Sequence, residues 1–440
     1  MTDLVSEIGP GAGAAAIAAT IEAAIADARL APGERLPAVR ELAAELAVSP
    51  ATVAAAYRTL GRRGLVGANR RRGTIVATQP PLRVRAGVPL PPNTHDLASG
   101  NPDPALLPPL GPVLARLAPE HKLYGGPVKL EALVRLAAAD FGADDIDGDV
   151  AIVGGALDGI ERVLQTQLRP GDRVVVEDPC WPRITDLLRA LGFEPEPAEV
   201  DRRGLVPAAL ERALRRGAKA VIVTPRGQNP TGAALDAARS EQLLGVLGRY
   251  PSVLVVEDDY VAAVAGAPYL GVHGSSMHWV VMRSLSKVLG PDLRIALASG
   301  DPLTISRVEG RQLLGPGWVS HLLQQTAAQL LSSAATRRLL ARAARTYAER
   351  RAALVGALDS HGIASHGDTG RGVWVPLTDE AAAGQGQLER GWAVSPGERY
   401  RFQSPPGIRI TTTDLGPREA ERLAAALRDV LRPAAATYAG

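Results

Sequence analysis

Apolar residues recur at four-residue spacing at Ile17, Ile21 and Ile25, which predicts an amphipathic helix from about Ala14 to Arg29 that ends near Pro32-Gly33. A second helix is predicted from about Ala38 to Ala47, with Val39, Leu42 and Leu46 on one face. Val48-Ser49-Pro50 then reads as a tight turn, with Ser49 as N-cap and Pro50 opening a third helix through Thr52, Val53, Tyr57 and Leu60. Gly64-Leu65-Val66 and Gly73-Thr74-Ile75-Val76 follow as the strands of a small hairpin, with Arg70, Arg71 and Arg72 at its tip. Two helices about a tight turn, followed by such a hairpin, describe a winged helix-turn-helix over residues 1–78. Residues 79–94 carry Pro80, Pro81, Pro89, Pro91 and Pro92 without helical or strand periodicity, and read as a linker.

From residue 95 to 440 the pattern changes to short apolar runs alternating with helical stretches, which predicts an α/β domain around a mostly parallel sheet. Val150 to Val153, Val174 to Val176, Ala220 to Val223, Val253 to Val256, Trp279 to Met282 and Ile295 to Ala298 are the candidate strands. The chain turns helical from about Gln312. Beyond about residue 330, a helix over Arg337 to Leu358 is expected to lead into a small C-terminal α/β domain that ends in a helix from Pro417 to Leu431.

Charge sharpens the picture of the N-terminal part. No acidic residue lies between Leu46 and His95, yet the interval holds eight arginines, Arg58, Arg62, Arg63, Arg70, Arg71, Arg72, Arg83 and Arg85. Such a block implies a polyanionic partner for the N-terminal portion, double-stranded DNA if the winged helix-turn-helix reading holds, beside the plainer reading of a flexible basic tail. The single cysteine, Cys180, excludes an intrachain disulfide and fits a reducing, cytoplasmic setting. The N-terminal residues offer no export signal, and no apolar run is long enough to cross a bilayer. The seven histidines have no metal-site spacing, so no metal is expected.

The chemistry centres on Ser284-Leu285-Ser286-Lys287, followed by a Gly-Pro turn and Arg294. Only four lysines occur, Lys122, Lys129, Lys219 and Lys287, against a large arginine excess. An amine can lose its proton and attack a carbonyl where a guanidinium cannot, so Lys287 is a candidate for Schiff-base chemistry, beside the plainer reading of a solvated surface lysine. The same residues match the S-x-x-K of serine acyl-enzymes, but the S-D-N and K-T-G partners of that chemistry do not occur. Ser284, Ser286 and Arg294 supply what a phosphate monoester requires. An aldehyde that carries a phosphate is pyridoxal 5′-phosphate (PLP).

Other strand ends fit the same ligand. Gly154-Gly155-Ala156-Leu157 can present backbone N–H groups to phosphate at a helix start, although such a turn also serves purely structural ends. Trp181 can lie flat on an aromatic ring or pack in the core. Asn229 can hydrogen-bond a phenolic oxygen. The carboxylates of Glu257-Asp258-Asp259-Tyr260 can face a pyridinium nitrogen or simply be solvated.

The motifs G-E-R-L-P at Gly33 to Pro37, R-E-L-A at Arg40 to Ala43, and Val48-Ser49, Thr52-Val53 and Ala56-Tyr57 resemble the GntR class of winged-helix DNA-binding domains. That resemblance implies DNA contacts at Arg40, Ser49, Thr52 and Tyr57, and Pro50 and Ala54 stand where some members carry arginines. Through Gly154-Gly155-Ala156, Glu177-Asp178-Pro179, Asn229-Pro230-Thr231-Gly232, Asp258-Asp259-Tyr260, Ser284 to Lys287, Arg294 and Arg409, residues 95–432 resemble fold-type I PLP aminotransferases. The two together resemble the MocR regulators.

The MocR likeness implies covalent attachment of PLP at Lys287, Asp258 at the ring nitrogen, Tyr260 and Asn229 near the ring oxygen, and Trp181 stacked on the ring. It further implies a phosphate cup of Ala156, Leu157, Ser284 and Arg294, completed by Tyr124 from the second subunit of a homodimer. Arg409 matches the arginine that grips a substrate carboxylate, and Arg183 could hold a second acidic group. Asp178-Pro179-Cys180, Thr224-Pro225-Arg226, Arg283 to Arg294 and Gly317 to Gln324 are similar to the branch of that family that regulates vitamin B6 salvage and responds to PLP. Lys129, Ala296 and Val373 stand where the broader family has other residues, departures that bear on transamination more than on cofactor binding. The resemblance therefore implies a PLP-responsive regulator of vitamin B6 or amino acid metabolism, with PLP or a PLP-amino acid adduct as effector. The alternative is a PLP-dependent aminotransferase with a DNA-binding appendage.

Overall fold

The computed structural model describes residues 2–27, 29–62, 65–69, 73–76, 90–118 and 120–431. Two compact units make up the chain: one holds 1–88 with 169–173 and 185–195, the other 89–168, 174–184 and 196–440. In the first, the helices are α1 (Thr2–Ile8), α2 (Ala14–Ala26), α3 (Val39–Glu45) and α4 (Pro50–Arg62). They are followed by the antiparallel pair β1 (Val66–Asn69) and β2 (Gly73–Val76). Helix α1 was not expected from the pattern; it seats Leu4 in a core with Ile17, Ile21, Leu42, Leu46, Val53 and Leu60. The turn between α3 and α4 passes through Ala47 in the left-handed region, at φ 52°. Ser49 then caps α4, its Oγ accepting from Thr52 N at 3.2 Å.

The second unit opens with β3 (His95–Asp96), α5 (Gly111–Leu114) and α6 (Glu131–Gly142). Next in chain order come β4 (Asp149–Val153), α7 (Ala156–Gln167), β5 (Arg173–Asp178), α8 (Pro182–Ala190), β6 (Glu194–Asp201), β7 (Gly204–Leu205), α9 (Pro207–Arg215), β8 (Ala220–Val223) and α10 (Ala237–Leu247), of which Arg173, most of α8 and the first two residues of β6 are grouped with the first unit. The sheet is completed by β9 (Leu254–Asp258), β10 (His278–Ser284) and β11 (Ala296–Gly300), and its order is β4-β11-β10-β9-β8-β5-β6-β7.

All residues of β8 and β9 are buried, which is why they read as unbroken apolar runs rather than alternating ones. Strand β6 escapes that reading because Pro195 and Pro197 interrupt it. It pairs with the two-residue β7 at the sheet's edge, where missing ladder donors are tolerated. Within the mostly parallel sheet the exception lies at one end: β11 is antiparallel to both β10 and β4. Eleven residues, Leu285 to Ile295, separate β10 from β11, fewer than the dozen or so of the helical crossover that a parallel partner requires.

Helices α11 (Pro302–Leu313), α12 (His321–Ser332) and α13 (Ala334–Ser360) lead to the C-terminal part. There α14 (Glu380–Glu389) and α15 (Pro417–Leu431) accompany β12 (Gly372–Pro376), β13 (Trp392–Ala393), β14 (Ser395–Pro396) and β15 (Gly407–Thr411). The order β12-β15-β14 puts β15 in the middle, and β13 pairs with β3. On α15, Ala420, Leu423, Ala424 and Leu427 form the buried stripe, at the three-to-four residue spacing of one helix face. Asp178 ties this part to the large sheet, accepting from Phe402, Gln403 and Ser404 backbone N–H at 2.8–3.0 Å. Among the described residues, no helix is long and apolar enough to cross a membrane, and no cluster of three metal-ligating side chains occurs.

Candidate functional site

The ends of β4, β5, β8, β9 and β10 converge on a cavity of about 360 Å3, the place where open α/β sheets gather ligands. At one wall, β4 passes into α7 through Gly155, whose φ is 119°. A Cβ at Gly155 would lie 2.6 Å from Arg294 Nη2, so the position must be bare for the guanidinium to reach the helix start. Arg294 itself adopts a left-handed conformation, at φ 47°. Ala156, Leu157, Ser284, Ser286 and Arg294 all line this wall. They offer hydroxyls, a fixed cation and the unpaired N–H groups of a helix N-terminus, a combination suited to phosphate.

The three consecutive acids of β9 and its end separate cleanly. Asp259 is fully buried and held by Arg226 at 2.8 Å through both carboxylate oxygens, and by Arg283 at 3.0 Å. Glu257 accepts from Tyr269 Oη at 2.7 Å and Val272 N at 2.9 Å. Asp258, pointing to the other side of the strand, lines the cavity with its Oδ1 buried and without a hydrogen-bond partner. Burial, then the charges of Asp259 and Glu177, push its carboxyl up to about 7. Glu177 is likewise pushed up to about 7 by burial, against bonds from Thr224 N and Gln228.

The raised Asp258 carboxyl has a consequence for stability. The unfolded chain releases this proton near 3.8, the folded chain near 7. Between those values the folded state holds more protons, so the contribution of Asp258 to stability falls as pH rises. Asp258→Asn removes that fall. Melting of ligand-free protein is expected to show the variant gaining on the parent between pH 5 and pH 8; a constant difference would disprove the burial of an unpaired carboxyl.

On the facing side, Lys287 Nζ donates to Gly100 O at 3.0 Å. Burial, followed by Arg371, Arg409 and Arg183, pushes its amine down to about 7. Tyr260 donates to Gly227 O at 2.8 Å, and burial raises its hydroxyl. Arg409, central in β15, donates to Asn229 Oδ1 at 3.3 Å and to Ala98 O. Trp181, Arg183 and Asn229 line the same cavity. Tyr124 does not: it is 92% exposed and touches Trp318 edge-on at 5.5 Å.

Of the departures noted in sequence, none lines the cavity. Lys129 pairs with Glu309 at 2.5 Å and donates to Val150 O, Ala296 is buried in β11, and Val373 packs in the core of the C-terminal part.

In the first unit, Arg40 and Ser49 are exposed and Thr52 is half-buried. Ser49 and Thr52 hydroxyls lie 2.9 Å apart. Tyr57 requires correction as a DNA contact: it is 7% exposed and its Oη donates to Pro37 O at 2.9 Å, bracing α4 against the start of α3. Arg70, Arg71 and Arg72 lie outside the described residues, as does most of the expected linker.

Residues 94–427 match the aminotransferase class I and II family, and residues 14–76 match the bacterial regulatory proteins of the gntR family. The vitamin B6 salvage pathway transcriptional repressor PtsJ of Salmonella typhimurium is 41% identical over 403 residues, covering 90% of this chain and 94% of its own. The chain belongs to the MocR family of GntR-type regulators. Another relative, the pyridoxine biosynthesis transcriptional regulator PdxR of Corynebacterium glutamicum, is 28% identical to this MocR chain over 348 residues, 73% of each. Among solved structures, kynurenine aminotransferase of Pyrococcus horikoshii matches with a TM-score of 0.70 at 22% identity, over 78% of this chain and 92% of its own, a likeness of fold. PLP is the cofactor of this class I and II fold.

Sequence reasoning missed three parts of the MocR cavity: Glu177 as a buried acid, the carbonyl of Gly100, and Arg371. Arg371 carried one legible signal, a cation held between Gly370 and Gly372 directly before an apolar strand.

Proposed function

We propose that this chain is a PLP-responsive transcription regulator that acts on vitamin B6 metabolism, in which cofactor occupancy changes affinity for an operator. The observation that carries the cofactor reading is Asp258 Oδ1, buried, unpartnered and in the same cavity as the depressed amine of Lys287. A pyridinium N–H would donate the hydrogen bond that this oxygen lacks, and its positive charge would favour the ionised carboxylate. Lys287 would attach to the aldehyde, and Trp181 would cover the ring. Asn229 and Tyr260 would stand near its phenolic oxygen. Ala156, Leu157, Ser284, Ser286 and Arg294 would hold the phosphate. When bound, the cofactor supplies an electron sink to an attached amine.

Arg409 and Arg183 are the groups available to an amino acid carboxylate. The exposure of Leu123 (79%) and Tyr124 (92%) supports a homodimer in which Tyr124 completes the partner's cup. Arg40, Ser49 and Thr52 are the surface available to DNA, and a DNA-binding function supports a cytoplasmic location. The roles of PtsJ in vitamin B6 salvage and of PdxR in pyridoxine biosynthesis support the link to vitamin B6.

The test is a gel-shift titration of PLP-loaded and PLP-free protein on the DNA upstream of its own gene, with no amino acid present. The two forms are expected to differ in operator affinity, and Arg409→Ala should leave that difference largely intact. Equal affinities would sink PLP sensing. A response that appears only once an amino acid is added, and is lost in Arg409→Ala, would make an amino acid carboxylate the signal, the lost charge-assisted bond costing about 1.5–3 kcal/mol. Repeated amino-group transfer to a keto acid would mark a working aminotransferase instead.

A further inference from the structure

Five cationic side chains line the cavity: Arg183, Lys287, Arg294, Arg371 and Arg409. Among the described residues, none of the five lies within ion-pairing distance of a carboxylate. A phosphate has its own places at Arg294, Ser284, Ser286 and the start of α7, and one carboxylate satisfies Arg409. Arg183 and Arg371 are then left over, and Arg183 is exposed, so water can satisfy it where it cannot satisfy Arg371. Arg371 is 6% exposed, its Nη1 donates to Gly100 O at 3.3 Å, and its Nε is buried without a partner. A buried guanidinium held by one long carbonyl contact is costly unless an anion joins it.

The contacts that these cations do make share a pattern. Ala98 O accepts from Arg409, and Gly100 O accepts from both Lys287 and Arg371. Two neutral carbonyl oxygens from one short stretch thus serve three cations. Arg371 directly precedes β12, whose neighbour β15 carries Arg409: Gly372 pairs with Thr411, and Trp374 with Arg409. Both guanidiniums approach Gly100: Arg371 Nη1 donates to its carbonyl, and a Cβ there would sit 3.5 Å from Arg409 Nη1 and Nη2.

We infer that Arg371 is a specificity-determining residue for a second negative group, so that the cavity takes a dicarboxylate, with one carboxylate on Arg409 and the other on Arg371. This rests on the reading of the cavity as the effector site, and it names the class of small molecule that fills the space left beside the cofactor. A lone carboxylate leaves Arg371 uncompensated; a dicarboxylate satisfies both guanidiniums with charge-assisted bonds.

The experiment uses full-length, PLP-loaded protein and calorimetric titration with succinate and butyrate, which share a four-carbon skeleton and differ in one carboxylate. Methyl phosphate serves as a third probe. Succinate is expected to bind at least about tenfold more tightly than butyrate. Arg371→Gln should bring succinate down to the butyrate level, and Arg371→Lys should restore part of the preference.

Equal binding of succinate and butyrate by the parent protein would overturn the assignment, as would a preference that survives Arg371→Gln. An equal loss for both probes in Arg371→Gln and Arg371→Lys would make Arg371 a brace for Gly100 and nothing more. Tighter binding of methyl phosphate than of succinate would replace the dicarboxylate with a phosphate ester. Absorbance of the attached cofactor, read in the same samples, reports separately on the PLP site, so its failure is distinguishable from that of Arg371.

Discussion

Replacing Lys287 with alanine is expected to abolish covalent attachment of PLP completely, read as loss of the borohydride-reducible adduct and of the absorbance that belongs to it. An ordinary lysine is neutral in only roughly one molecule in a few thousand at pH 7. Burial, reinforced by three nearby guanidiniums, brings the Lys287 amine down to about 7 and makes a large fraction nucleophilic at that pH. No other lysine can take over. Lys129 is occupied by Glu309 and Val150 O, Lys122 lies beside Glu120 at 3.4 Å, and neither these nor Lys219 lines the cavity. The phosphate wall is untouched by the substitution, so reversible binding of PLP should persist in a weakened form. A reducible adduct on the variant would refute the assignment of Lys287.

The second large effect concerns DNA. Replacing Arg70, Arg71 and Arg72 together by alanine is expected to weaken binding to operator and random duplex alike, and to reduce the slope of log affinity against log salt by about two to three units. The basis is the run of eight arginines without an acid between Leu46 and His95, and the position of these three in sequence between the paired residues Asn69 and Gly73. Each phosphate contact releases condensed counterions regardless of base sequence, so the loss should be uniform across DNA sequences. An unchanged salt slope would count against a phosphate contact here. A loss confined to the operator would turn these arginines into base readers.

Much of this molecule is written in local pattern. The spacing of Ile17, Ile21, Val53 and Leu60 and the Ser49-Pro50 turn announce the helices of the first unit, because each signal involves residues within a turn or two of one another. The apolar runs of the large sheet are legible for the same reason: strands buried on both faces have nowhere to place a polar residue. Lys287, in a chain with four lysines, and the Gly155-Ala156 turn stand out by composition alone.

Tertiary structure decided the rest, since it set side chains far apart in sequence against one another. Asp258 and Asp259 are indistinguishable as neighbours in sequence; the alternation of the strand sends one into the cavity and the other to Arg226 and Arg283. The family resemblance implies a DNA contact at Tyr57, yet the ring packs in the core with Val53 and Leu60, and its hydroxyl donates to Pro37 O, 20 residues away. The carbonyl of Gly100 meets Lys287 across 187 residues and Arg371 across 271. No window of sequence contains such a meeting. Backbone carbonyls have no residue identity to read, and whether a buried arginine has a partner depends on which strands become neighbours.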